Sequence, residues 1–248
     1  MAPTWLDEVT NEMLRNLPKP RFSPMLVYDF DHVRVAIELA EGAIEAARVE
    51  TERAARDAIA EAASDPNRSF VKKPALAPIA AAMWNVEMTF PLILRRSLFI
   101  AICSHVEHVL RRWCAFLHAE WKLPEDPKTY EEQNKGKRSA HTLIRYLRDV
   151  AKLNIADFGN WPEWVKFDAF FLARNCLVHD GGIVFDDAAR KRIAKLQHVE
   201  IDASRLLVDA DAVVHLLPGA CEDAANTAKQ LLERLNRACE ADPRAATP

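Results

Sequence analysis

Glycine is scarce in this chain: 6 of 248 residues. Tight turns and left-handed backbone draw on glycine, so a fold built from many short turns is excluded. No CxxC pair occurs among the five cysteines, Cys103, Cys114, Cys176, Cys221 and Cys239. Their odd number and scattered spacing exclude a disulfide framework and read as reduced thiols packed in a core. No uncharged apolar run approaches the roughly 20 residues that a membrane span needs. The start, Met1-Ala2-Pro3-Thr4-Trp5, has neither the basic nor the apolar region of a signal peptide. A soluble, cytoplasmic protein is therefore expected. An excess of positive charge is also missing, since 33 basic residues face 36 acidic ones for a net charge of −3. Any contact with nucleic acid must then come from a local basic patch, not from global attraction. The chain also has no phosphate-binding glycine loop, no Ser-His-Asp pattern and no catalytic-cysteine setting. His105-Val106-Glu107-His108 is neither HExxH nor HxxEH and lacks a clear third ligand, so no metal and no cofactor are expected.

What the chain has is apolar bulk. Half of the residues are hydrophobic, and alanine and leucine are abundant. These strong helix formers predict an all-α protein with long elements and a substantial core. Thr4 and Asp7 resemble a capping box, which predicts a short helix to about Leu17, stopped by Pro18, Pro20 and Pro24. A long helix follows from Asp29 or Asp31 to about Ala63. Val33, Ala40, Ala47 and Ala54 recur every seven residues in it, as do Ile37 and Ile44, with Ala58 two heptads on. Such a thin seam serves either a helix lying on its own domain or a dimer contact. Ser64 to Pro78 reads as a polar connector.

The next helix starts between Met83 and Pro91 and runs to about Trp121, with Pro91 opening or kinking it. Leu123 to Arg138 reads as a loop, Ser139 as the cap of a helix to about Leu153, and Asn154 to Asn160 as a connection. Trp161-Pro162 opens a helix through Phe167, Phe170, Phe171 and Leu172 towards Val178. Gly181 or Gly182 is placed for a left-handed cap after it. Asp187 to Gln197 reads as a short basic helix. Val199-Glu200-Ile201 and Leu206-Leu207-Val208 are set to pair as a short β-hairpin. Asp209 then caps a terminal helix, interrupted near Pro218 and ending around Cys239. The expected organisation is a helical extension over 1–80, a helical domain over 81–240 and a disordered tail over 241–248.

Chemistry concentrates at the end of the aromatic helix, in Ala173-Arg174-Asn175-Cys176-Leu177-Val178-His179-Asp180-Gly181-Gly182. Cleavage of RNA without a metal needs a proton taken from the ribose 2′-hydroxyl and a proton given to the leaving 5′-oxygen. Histidine does either near neutral pH. Charge grows on the phosphoryl oxygens in the transition state, and arginine offers a planar fork of donors to them. Arg174 and His179 are five residues apart, about 140° around an ideal helix. They share a face only if the helix end frays or tightens, or if a second subunit supplies the complementary residue.

Arg174-Asn175-Cys176-Leu177-Val178-His179 resembles the R-N-x-x-x-H signature of HEPN domains. Phe99 to Cys114, with Ser104 and Glu107 spaced Ser-x-x-Glu, is similar to the upstream helix of that superfamily. Ala140 to Leu153 resembles the helix leading into the motif helix, and the resemblance spans about Phe90 to Leu235. It implies an antiparallel helical bundle, here with an extra long N-terminal helix. It also implies a metal-independent endoribonuclease that leaves 2′,3′-cyclic phosphate and 5′-hydroxyl ends, in phage defence or a toxin–antitoxin system. Arg174 and His179 match the catalytic pair, and Asn175 the polar residue that orients the histidine or binds phosphate. Glu107 is either a supporting acid or an i,i+4 ion-pair partner of Arg111. Family members usually dimerise, so a homodimer and an antitoxin or defence partner are expected. The tyrosine that one subgroup carries after the histidine is absent here. The alternative is a non-catalytic HEPN-type RNA-binding or protein-interaction module in a defence complex. Lys135, Lys137, Arg138, Arg145 and Arg148 form a basic stretch that either guides RNA or is a solvated face. Trp164, Phe167, Phe170, Phe171 and Leu177 are expected to offer apolar surface to a two-fold interface.

Overall fold

The computed structural model describes residues 22–64, 72–134, 139–202 and 212–246. The expected first helix, to Leu17, lies outside the described residues. Those described are mainly helical, with one small antiparallel sheet.

Helix α1 spans Phe22–Ser64, beginning several residues before the expected start because Pro24 falls in its first turn, where no hydrogen-bonded N–H is required. Its buried positions are Phe30, Ile37, Ile44 and Ala55. The seven-residue spacing of the first three keeps them on one side, and the seam then moves to Ala55 instead of Ala54, since 3.6 residues per turn drifts against a heptad. Phe30 and Ile37 join the main core, so the long helix lies on its own bundle. The connector expected over Ser64 to Pro78 is shorter than its composition implied. Helix α2, Lys72–Trp84, already occupies its second half, with Pro78 inside. A π-helical turn, Asn85–Thr89, leads into α3, Phe90–Trp121, where Pro91 sits in the first turn and opens the helix.

Part of the expected 123–138 loop is helix α4, Pro127–Gln133. Asp126 caps it by accepting from the Lys128 and Thr129 amides, and Pro127 takes the first position. Helix α5 covers Ser139–Asp149, ending before the expected Leu153. A 3₁₀ turn at Phe158–Asn160 leads to α6, Pro162–His179. Helix α7, Asp187–Ile193, is capped by Asp186 and is shorter than expected.

The sheet corrects the sequence reading most. β1 is Ile183–Val184, β2 is Val199–Asp202 and β3 is Ala212–Leu216, in the order β1-β3-β2. Val199 pairs with Leu216 and Ile183 with Val213. The partner of the first expected strand is thus Ala212–Leu216; Leu206-Leu207-Val208 lie outside the described residues. The segment expected as the start of the last helix is strand, because Ala212, Val214 and Leu216 alternate inward with Val213 and His215. Helix α8, Ala220–Glu240, begins only after Pro218 and Gly219. The expected disordered tail includes a 3₁₀ turn, Pro243–Ala246. There Arg244 donates to the Ala151 carbonyl at 2.6 Å and lies over Trp121.

Contacts set the helix directions. The Cys221 thiol donates to the Arg95 carbonyl near one end of α8 and α3, and Cys239 meets Trp113 further along both, so these helices run parallel. Glu163 pairs with Arg234 and Lys166 with Asp223, so α6 runs against α8 and hence against α3. Arg111 reaches Ser139, and the Cys114 thiol donates to Leu143, which aligns α5 with α3. The motif helix therefore runs opposite to three of its neighbours. All five cysteines are buried and free. Among the described residues no helix is long and apolar enough to cross a membrane.

Candidate functional site at the end of the motif helix

Arg174 turns from α6 towards α3. Its Nη1 donates to Asn175 Oδ1 at 2.9 Å, and its buried Nε has no hydrogen-bond partner among the described residues. Asn175 therefore holds the arginine. Opposite lie Cys103 and Glu107 of α3, whose ionisation both respond to the Arg174 charge.

Glu107 does not pair with Arg111. Arg111 turns instead to Glu131 of α4, at 3.2 Å, and to Ser139. Burial pushes the Glu107 carboxyl above the usual carboxylate range, opposed first by Arg174 and then by Arg111. A raised pKa in the folded state means that folding favours the protonated acid. Its stabilising contribution is complete below the unfolded-state pKa and is lost as pH rises through the folded-state value. Glu107→Gln is accordingly expected to raise the melting temperature at pH 7 and to leave it unchanged near pH 3. Thermal melts across that range check this; equal effects at both ends would assign the change to packing.

His179 is the last residue of α6 and is exposed. The helix stays regular through it, and Asp180 closes it by donating its amide to the Cys176 carbonyl. The angular separation from Arg174 therefore persists in one chain, and the cap does not swing the imidazole round. Gly181 and Gly182 both have positive φ, 63° and 97°, which turn the chain straight from the helix into β1. The Gly182 amide donates to the Cys176 carbonyl at 2.8 Å, and its own carbonyl accepts from Val214.

Other expected residues lie elsewhere. Arg148 pairs with Asp149 at 2.6 Å and sits over the Phe158 ring, before the start of α6. His179 ends that 18-residue helix, about 27 Å away along the axis. Arg145 sits beside the same Asp149 and Tyr130. The structure thus does not bring Arg145 and Arg148 to the motif; α5 points its basic residues at its own acid. Lys135, Lys137 and Arg138 lie outside the described residues. Trp164, Phe167, Phe170, Phe171 and Leu177 do not form an interface either. All are buried in this chain's core, with Phe167 packed edge-on to Phe171 and Phe170 to Phe99. The apolar side chains left exposed near the motif are Val178 and Phe185. His105, from the His-Val-Glu-His segment, packs edge-on against Phe30. Among the described residues no three His, Cys, Asp or Glu side chains converge as metal ligands.

Two residues escaped the sequence reading. Asp168, in the middle of α6, is buried and holds His141 of α5 at 2.6 Å and Arg192 of α7. The available signal was an acid set inside the aromatic run Phe167-Asp168-Ala169-Phe170-Phe171. Arg96 of α3 carries its guanidinium against Gly182: a Cβ added there would lie 2.9 Å from Nη2. Nothing in the Arg95-Arg96 pair marks which of the two faces the motif.

Compared with protein families, with curated proteins and with solved structures, the chain finds no match in any of the three.

Proposed function

We propose that this protein is a metal-independent endoribonuclease of the HEPN type. Cleavage proceeds by attack of the ribose 2′-hydroxyl on the adjacent phosphorus, leaving 2′,3′-cyclic phosphate and 5′-hydroxyl ends. The observation that carries this reading is Arg174: a guanidinium with a buried, unpartnered Nε, steered by Asn175, in the R-N-x-x-x-H string that ends in an exposed histidine. Its remaining donors stabilise charge on the phosphoryl oxygens. His179, reachable from solvent, moves the proton. Glu107 beside the arginine, raised by burial, is the supporting acid.

Because Arg174 faces α3 while His179 faces out, the working site joins Arg174 of one subunit to His179 of another. A two-fold axis beside the motif repeats the same surface on both subunits. Exposed Val178 and Phe185 supply apolar area for it, in place of the core aromatics. The protein is cytoplasmic on this reading and acts in a toxin–antitoxin or phage-defence setting with a partner protein.

The test is incubation of purified protein with single-stranded RNA in EDTA, with the product ends identified by mass spectrometry. Cyclic phosphate and 5′-hydroxyl ends are expected. Mixing inactive Arg174→Ala with inactive His179→Ala should restore partial activity. Activity that vanishes in EDTA and returns with magnesium would remove the mechanism, and a failure of mixing would confine the site to one chain.

A further inference from the structure

Arg95 and Arg96 are neighbours on α3 with opposite fates. Arg95 is bidentate to Glu41 of α1, at 2.8 and 2.7 Å. Arg96 points the other way, towards the turn that follows the motif. Its Nη2 lies where a Gly182 side chain would begin, and its Nε is buried without a hydrogen-bond partner among the described residues. Several other partly buried arginines have carboxylates: Arg192 has Asp168, Arg234 has Glu163 and Arg244 has Asp242. Arg96 has none within ion-pair distance among the described residues. Burial disfavours the charge of its guanidinium. Half-burying an arginine without an anion is costly, and a fold retains such an arrangement where an anion from outside completes it.

The position says which anion. Arg96 and Cys103 are seven residues apart on α3, so they share a face and lie about 10 Å apart along the axis. Arg174 acts on Cys103 and Glu107; Arg96 stands at Gly182, on the same α3–α6 seam but further towards the exposed end of α6. The two guanidiniums therefore serve separate points along one track on the α3–α6 seam. Gly182 keeps the track open, because its positive φ and missing side chain leave room for the Arg96 guanidinium.

We propose that Arg96 binds the phosphodiester adjacent to the one held at Arg174, so that the site takes a nucleic-acid strand carrying at least two consecutive phosphates. The inference rests on the ribonuclease reading for the identity of the anion. It makes Arg96 a substrate-binding residue that selects chains over single phosphodiesters.

The experiment uses the full-length His179→Ala protein, so that RNA is bound without being cut. A fluorescent single-stranded oligoribonucleotide is titrated by anisotropy over a range of salt concentrations. Adding Arg96→Gln is expected to weaken binding and to flatten the plot of log affinity against log salt by about 0.7, the loss of one phosphate contact to a single strand. Arg96→Lys should keep most of the slope. Unlabelled dinucleoside monophosphate and trinucleoside diphosphate then compete for the site. The parent should prefer the trinucleoside form, and Arg96→Gln should bring the two close to equal. Thermal melting separates binding from structure: removing an unpaired, half-buried charge should leave the melting temperature unchanged or raise it.

An unchanged salt slope in Arg96→Gln overturns the proposal, as does a fall in melting temperature shared by the Gln and Lys variants. Failure of the parent to bind the strand overturns it as well. The two readings fail separately. Cleavage by wild type with an unaltered slope in Arg96→Gln removes only the phosphate role. A flattened slope without any cleavage by wild type removes only the nuclease.

Discussion

His179→Ala is expected to reduce RNA cleavage by about 10²- to 10⁴-fold, the usual cost of losing a general acid or base, while leaving the fold as stable as before. The two halves of that expectation come from one place in the structure. His179 is the last residue of α6, exposed, and its side chain fills no part of the core. Its removal opens no cavity and strands no buried partner. The helix end survives it, because Asp180 and Gly182 both donate their amides to the Cys176 carbonyl without help from the imidazole. Initial cleavage rates and a thermal melt of the same preparation check the two halves together. Cleavage near the wild-type rate would take His179 out of the chemistry. A large drop in melting temperature would mean that lost activity reports unfolding.

Asp168→Ala should do the reverse, costing about 3 kcal/mol of stability, the lower end of what breaking a buried ion pair costs. The lower end applies because His141 and Arg192 are each more than a third or nearly a third exposed, at 32% and 40% of their side chains, and water takes over part of their solvation. Asp168 itself is buried at 4% and is shared between them. It is the polar tie through which α5 and α7 hold the motif helix, and the His141 ring also packs edge-on against Trp164 of the same helix. Asp168→Asn, which keeps the volume and an acceptor, should cost less. Urea denaturation at pH 7 measures both. A midpoint unmoved in Asp168→Ala would mean that apolar packing alone orients α6. Paired with His179→Ala, the experiment separates a residue that positions the helix from one that works at its end.

The helix end and turn from Ala173 to Gly182 were legible because their information is local. A helix whose aromatic run ends at Arg174, followed by two glycines, states where it ends and which polar groups are left there. The structure runs that helix from Pro162 to His179 and gives a positive φ to both glycines, where one was expected. The surroundings of the basic stretch were less legible, for a complementary reason. Arg145 and Arg148 look free in a sequence window with no acid between them, yet Asp149 is next in line, pairs with Arg148 and feels the charge of Arg145. Glu107 shows the same limit. Arg111 at i,i+4 was the local partner, and a residue 20 positions away, Glu131, claimed it instead. The strand at Ala212–Leu216 reads equally well as the first turns of a helix, since a five-residue run with four apolar residues is too short to separate the two periods. Pairing with Val199–Asp202 chose between them.

The sequence by itself determined the mainly helical character, the burial of the free cysteines, the span of the motif helix and the turn that closes it. All of these follow from composition, from apolar spacing along one segment, or from glycine at a fixed place. Tertiary structure decided what no single segment contains. It consumed Trp164, Phe167, Phe170 and Phe171 in the core instead of leaving them for a partner, since α3, α7 and α8 pack against α6. It gave Asp168 its two partners, 27 residues before it and 24 after. And it paired Arg95 while leaving Arg96 against Gly182 with its charge unanswered. Adjacent residues on a helix point about 100° apart, and only the elements packed on each side determine which of them meets an acid.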